Sequence, residues 1–132
     1  PLIIIIVSNI LLNLFGIQSP NLYVYLSILL SLCLIYLMGF YFLKDNIITI
    51  IKTSFFSSVI FFLVTNFSVW FNCYLSGIGI YSPDLSGLLL CYEAAIPFFK
   101  YTLISTFSFS IYFYLVYKFM RFYENEYSKI IV

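Results

Sequence analysis

Charged side chains are scarce in this chain, so the few that fall inside apolar sequence are the first candidates for chemistry. Between residues 85 and 117 they are Glu93 and Lys100. Seven residues apart, the two share a face if one helix carries both. A carboxylate and an ammonium so placed could relay a proton or hold a polar ligand, and an ionisable group at membrane depth is a functional hypothesis by default. Pro97 stands between them, and the bland reading puts both at a water interface. A second candidate lies in FFLVTNFSVW, 61–70, where Asn66 precedes the only tryptophan, Trp70, by four residues. At that spacing an amide and an indole meet on one helix face. They either tie helices together through hydrogen bonds or line a cavity in which the indole stacks on a ligand. Asn66, Trp70, Tyr92 and Glu93 thus form the candidate set, for packing or for a small-molecule cavity opening on the outer side.

Other chemistries lack their residues. Histidine is absent, which removes the usual haem ligand, the usual general base and most zinc sites. Cys33, Cys73 and Cys91 show no metal-ligand spacing and read as small buried hydrophobes. No nucleophile–base pair, phosphate loop or carboxylate cluster is visible, so neither an enzyme nor a metal or cofactor site is expected. A net charge of +1 argues against a nucleic-acid partner.

The elements that position these residues follow from composition. Hydrophobic residues make up 64% of the chain and charged residues 8%, against roughly 25% charged in soluble domains. Residues 1–43, 53–83 and 101–117 carry no charged side chain, and each can hold a spanning helix of about 20 residues. The expected fold is all-α, a single polytopic transmembrane helix bundle over 1–132, with about four spanning helices and one short interfacial or re-entrant helix. The first segment, 1–15, is short for a span, and the expectation is that its helix begins upstream. GIQSP, 16–20, breaks it. The second span covers 21–43 and KDN, 44–46, is a tight polar turn. The third runs from about Ile47 to Asn72, with Lys52 snorkelling at its start. CYLSGIGIYSPD, 73–84, reads as a loop. LSGLLLCYEAAI, 85–96, is the short helix, ended by Pro97. The last span covers about 98–120, followed by a polar tail. Ser54 and Ser58, and Thr106 and Ser110, are spaced for close helix packing, and Asn9 and Asn13 are expected to face protein.

Basic residues orient the bundle. Lys44, Lys52, Lys118, Arg121 and Lys129 fall on one side, Lys100 on the other. This bias puts the 44–46 turn and the C-terminus on the cytoplasmic side, or on the matrix or stromal side in an organelle. Two alanines against 29 Phe and Tyr residues read as mutational bias of an AT-rich genome, such as that of an organelle, a reduced symbiont or a low-GC bacterium.

SSVIFFLVTNFSVW followed by YSPDLSGLLLCYEAAIPFFKYTLIS resembles a family of small bacterial integral membrane proteins of unknown function. The matching positions are Ser58 to Trp70, Tyr81 to Pro83 with one inserted residue, Gly87-Leu88, Cys91-Tyr92, Ala94 to Phe99 and Thr102-Leu103. NLYVYLS, 21–27, and PLIIIIVSNILLNLFG also look like the family, with Ser8-Asn9 where the family has Ser-Asp. The resemblance implies distant similarity to S-components of energy-coupling-factor transporters, six-helix vitamin-binding proteins with both ends in the cytoplasm. That would place two helices before residue 1. The family's Asn-Thr-Leu-Leu-Gly-Asp is here YTLIST, 101–106, without the amide, glycine and acid.

Two functions follow. The leading one is a non-catalytic multi-pass subunit of a larger membrane complex, such as an organellar respiratory or ATP-synthase assembly, with the lipid bilayer and other subunits as partners. The alternative is an S-component-like small-molecule binding and transport protein. Haem anchoring, which SPNLYVY would fit, lacks its histidine.

Overall fold

The computed structural model describes residues 7, 10–16, 22–42, 45–77 and 79–131, with side chains described through 125. Every regular element among them is helical. A short helical stretch, α1 (10–14), ends where the Gly16 N–H donates to the Asn13 carbonyl at 3.0 Å, with Gly16 at φ 73°. Three long helices follow: α2 (Leu22–Phe42), α3 (Ile47–Ser76) and α4 (Leu85–Ile131). All three are long and apolar enough to cross a membrane. The break at 17–20, Lys44, Asn9 and the Lys129 side chain lie outside the described residues, as does most of the expected first crossing. Asn13, expected to face protein, is exposed.

Helix boundaries have local causes. Asn46 caps α3: its side-chain oxygen accepts the Ile48 N–H at 2.9 Å, and its backbone is extended. Gly77 ends the same helix at φ 63°, donating its N–H to the Cys73 carbonyl at 3.1 Å. α3 therefore extends one turn into the expected 73–84 loop. The larger correction concerns the short helix. Residues 85–96 do not form a separate interfacial element; they are the first turns of a 47-residue α4 that continues through Pro97. A proline in a helix interior removes one backbone donor and crowds the carbonyl four residues back. Within a bundle the remaining ladder and neighbouring helices hold such a helix together.

α3 lies in the middle and packs against α2 and α4. The packing inverts that of a soluble domain. The buried apolar side chains among the described residues are Ile50 and Cys91, whereas six serines, Ser27, Ser31, Ser54, Ser57, Ser58 and Ser68, are buried. Phe40, Phe98 and Phe119 are each about 70% exposed. Small residues let backbones approach where lipid supplies no hydrophobic drive between helices. Several serine hydroxyls are satisfied locally: Ser31 donates to the Ser27 carbonyl at 2.7 Å and Ser58 to the Ser54 carbonyl at 3.0 Å. Ser68 instead crosses helices, donating to the Tyr23 carbonyl at 2.8 Å.

Candidate functional site

At the C-terminal end of α3, three of the four candidate residues are engaged in packing. The Asn66 amide donates to the Phe62 carbonyl of its own helix at 2.8 Å. The Trp70 indole N–H donates to the Ser82 carbonyl at 3.1 Å, and its ring lies 5.6 Å from those of Phe67 and Tyr74. Tyr92 donates its hydroxyl from α4 to the Leu63 carbonyl at 2.8 Å and packs on Phe62. Cys91, buried beside it, reaches the Asn66 carbonyl at 3.4 Å. Asn66, Trp70 and Tyr92 are thus brought to one α3–α4 seam, each with its polar group occupied.

The loop before α4 explains why this end closes. Asp84 caps α4, its carboxylate accepting from the Gly87 N–H at 2.8 Å and from the Ser82 and Ser86 hydroxyls. Those bonds, that from Ser82 first, hold its carboxyl below the usual range. A side chain at Gly87 would drive its Cβ into the Ser82 backbone, so only glycine lets the loop fold onto the helix. Gly79 meets the Cys73 side chain in the same way. YSPDLSG is a cap and a close approach. The spacing of Asp84 and Gly87 carries that signal, although the partner of Trp70 is not visible in sequence.

Glu93 does not join the seam. It is exposed on α4, as is Lys100. The two form no ion pair among the described residues; Lys100 lies 4.9 Å from the Tyr101 ring centre.

Towards the other end of α3, residues of all three long helices line a cavity of about 570 Å³. Its walls come from all three helices, among them Ile35 and Gly39 of α2, Thr53, Ser54 and Ser57 of α3, and Thr106, Ser110 and Phe113 of α4, with Asp45 also contributing. None of Asn66, Trp70, Tyr92 or Glu93 lines it. Thr106 and Ser110, expected to pack helices closely, instead face this space; Ser54 lines it as well, while Ser58 stays in the seam. At the rim Asp45 accepts from Lys118 and Arg121, each at 2.9 Å. The Lys118 hydrogen bond, ahead of the nearby charges, holds the Asp45 carboxyl below its ordinary range. Sequence reading located these three residues at one end but did not pair them, because the contact spans more than seventy positions.

The chain belongs to a family of unknown function: the model of the Family of unknown function (DUF6580) matches residues 1–129. No curated protein and no solved structure matches.

Proposed function

We propose, starting from a family without an assigned function and from the helix faces just described, that the protein is a non-catalytic, multi-pass membrane subunit whose α4 packs against another chain in a larger membrane complex. The supporting observation is the outward placement of Glu93 and Lys100 on a continuous α4. Lys100 stands fifteen residues beyond Leu85, about 22 Å along the axis at 1.5 Å per residue. α3 has 30 residues, about 45 Å, which exceeds the roughly 30 Å hydrocarbon core by about 15 Å. Shared between both ends, that overhang leaves Lys100 about 15 Å below the outer boundary, near mid-membrane. A lysine there costs roughly 2.5–3.5 kcal/mol on insertion scales and characteristically faces protein or a water-filled space. The basic bias described above supports a cytoplasmic, matrix or stromal side for the 44–46 turn and the C-terminus.

A photo-crosslinking side chain at Ile104, between Lys100 and Ser108 on this face, tests the reading. Phe109, about as exposed on a different face, is the control. The expected result is one defined protein adduct at Ile104 and lipid adducts at Phe109. Lipid adducts alone at both positions would remove the basis for a partner chain.

A second reading, small-molecule binding and transport of the S-component type, is favoured by the cavity between α2, α3 and α4. Its volume falls within the roughly 300–1,000 Å³ of ligand pockets. Native mass spectrometry of the gently extracted protein separates the two readings: a small adduct on the lone chain supports binding, and appearance only within a larger assembly supports the subunit.

A further inference from the structure

Most serines and threonines of this bundle fall into two groups, with Thr49 and Ser108 unpaired but outside the cavity. Ser27, Ser31, Ser58, Thr65 and Thr102 donate to carbonyls of their own helices, and Ser68 donates across to α2. The hydroxyls of Thr53, Ser54, Ser57, Thr106 and Ser110 form no hydrogen bond to any described residue, and all five line the cavity. Ser54 and Ser57 are only 6% and 7% exposed, and their unpaired hydroxyl oxygens keep access to that space, since no fully enclosed side-chain oxygen among the described residues lacks a partner. An unsatisfied hydroxyl at membrane depth is costly. Five on facing helices therefore call for an occupant with several hydrogen-bonding groups.

An acyl chain supplies none along its length. The hydroxyls begin seven residues into α3, counting from Ile47, and continue to the eleventh, about 10–16 Å along the helix. The polar groups of a lipid held at the headgroup level would not reach them. A partner helix would need several polar side chains in register with all five. At the rim, Lys118 and Arg121 face the single carboxylate of Asp45, leaving one net positive charge. The N-terminus of α3 at Ile47 adds the positive end of its dipole beside that rim.

We infer that this cavity is a binding site for a small organic anion, a molecule with a compact body, several hydrogen-bonding groups and a carboxylate, sulfonate or phosphate, that enters from the basic end of the bundle. The inference rests on the second reading above and adds to it the side of access and the charge of the ligand. The body sits between Ile35, Ile50 and Phe113 and the hydroxyls take its polar edge; Lys118 and Arg121, which hold Asp45 at the edge and do not line the cavity, act on the anion as it enters.

Thiol labelling tests this on the full chain in membrane vesicles of both orientations. Ser57→Cys and Ser110→Cys are near-isosteric changes within the cavity. Each is treated with two membrane-impermeant reagents of similar size, the anionic methanethiosulfonate ethylsulfonate and the cationic ethyltrimethylammonium analogue. Mass spectrometry reads modification site by site, so Cys33, Cys73 and Cys91 remain as internal references, and Asn46→Cys at the exposed turn reports insertion and access. Rates are normalised to each reagent's reaction with a free thiol. The expected result is labelling of both cavity cysteines only in vesicles that expose the 44–46 turn, with an anion preference on the order of tenfold. Lys118→Gln with Arg121→Gln should abolish the preference and leave labelling itself. Equal rates for the two reagents would overturn the anionic class while leaving a solute-accessible cavity. No labelling at either position, with Asn46→Cys modified, would overturn the cavity as a solute site and with it the binding reading.

Discussion

The two ends of α3 solve the same problem in opposite ways. Around Trp70 the polar groups find partners within the chain: indole to Ser82, Tyr92 to Leu63, Cys91 to Asn66, Asp84 to the start of α4. Around Ser54 five hydroxyls, three on α3 and two on α4, line a cavity of about 570 Å³. Both ends use small polar residues on the same helices. What differs is whether a loop folds back to close the seam. At the Trp70 end it does, because Gly87 permits backbone contact with Ser82. At the Ser54 end α2 and α3 are joined by a short turn whose Asp45 reaches sideways to α4 and holds the rim. Polar residues in membrane sequence therefore carry no single meaning: the first set is bonded within the chain and the second lines a cavity.

This contrast fails most visibly if the closed end tolerates bulk. Gly87→Val would drive its side chain into the Ser82 backbone. We expect a loss of about 3 kcal/mol or more, read as a fall in the melting temperature of the detergent-solubilised protein. Full stability in this variant would mean the loop is not packed against α4. A smaller effect concerns Asp84. Its folded-state pKa is lowered by the hydrogen bonds it accepts, so its stabilisation is present above the ordinary carboxylate pKa and is lost as pH falls through the depressed folded value. Wild-type melting temperature should decline over that acidic window, and Asp84→Asn should be less stable at neutral pH with a flatter acid profile. Parallel profiles would show that the cap contributes nothing measurable. The smallest effects give the sharpest comparison. Ser68→Ala deletes a hydrogen bond between helices and should cost about 0.6 kcal/mol, the average for such bonds in membranes. Ser57→Ala removes an unpaired hydroxyl and should leave stability unchanged or raise it. Equal losses in reversible unfolding experiments would erase the distinction between the two ends.

Much of the architecture was legible because lipid imposes a simple requirement on sequence. The uncharged runs and the KDN turn gave α2 and α3 to within a few residues, and the apolar character of the C-terminal half was equally clear. The boundary at Pro97 misled because proline ends helices in water, where an unpaired carbonyl finds solvent and a broken helix costs little. Within lipid, ending the helix there would expose more backbone than continuing it. An interfacial 85–96 helix would leave Lys100 near water, whereas the continuous α4 sets it fifteen residues beyond Leu85 in one helix. Asn66 and Trp70 were conspicuous as polar groups in apolar sequence, but their partners depend on tertiary contact. The spacing of Thr106 and Ser110 is that of a packing motif, and whether a hydroxyl meets a helix or a cavity depends on how far apart the helices stand.

Pro97 also gives α4 a mechanical character. It divides the helix into an upper rod joined to α3 through Cys91 and Tyr92 and a lower rod bearing Thr106, Ser110, Lys118 and Arg121. The missing backbone bond makes this joint a place where the axis can bend. Lys118 lies 21 residues below it, about 31 Å, so a bend of about 10° would sweep the rim sideways by roughly 5 Å. The upper rod would remain fixed, and the cavity would widen or narrow like jaws worked from a single pivot.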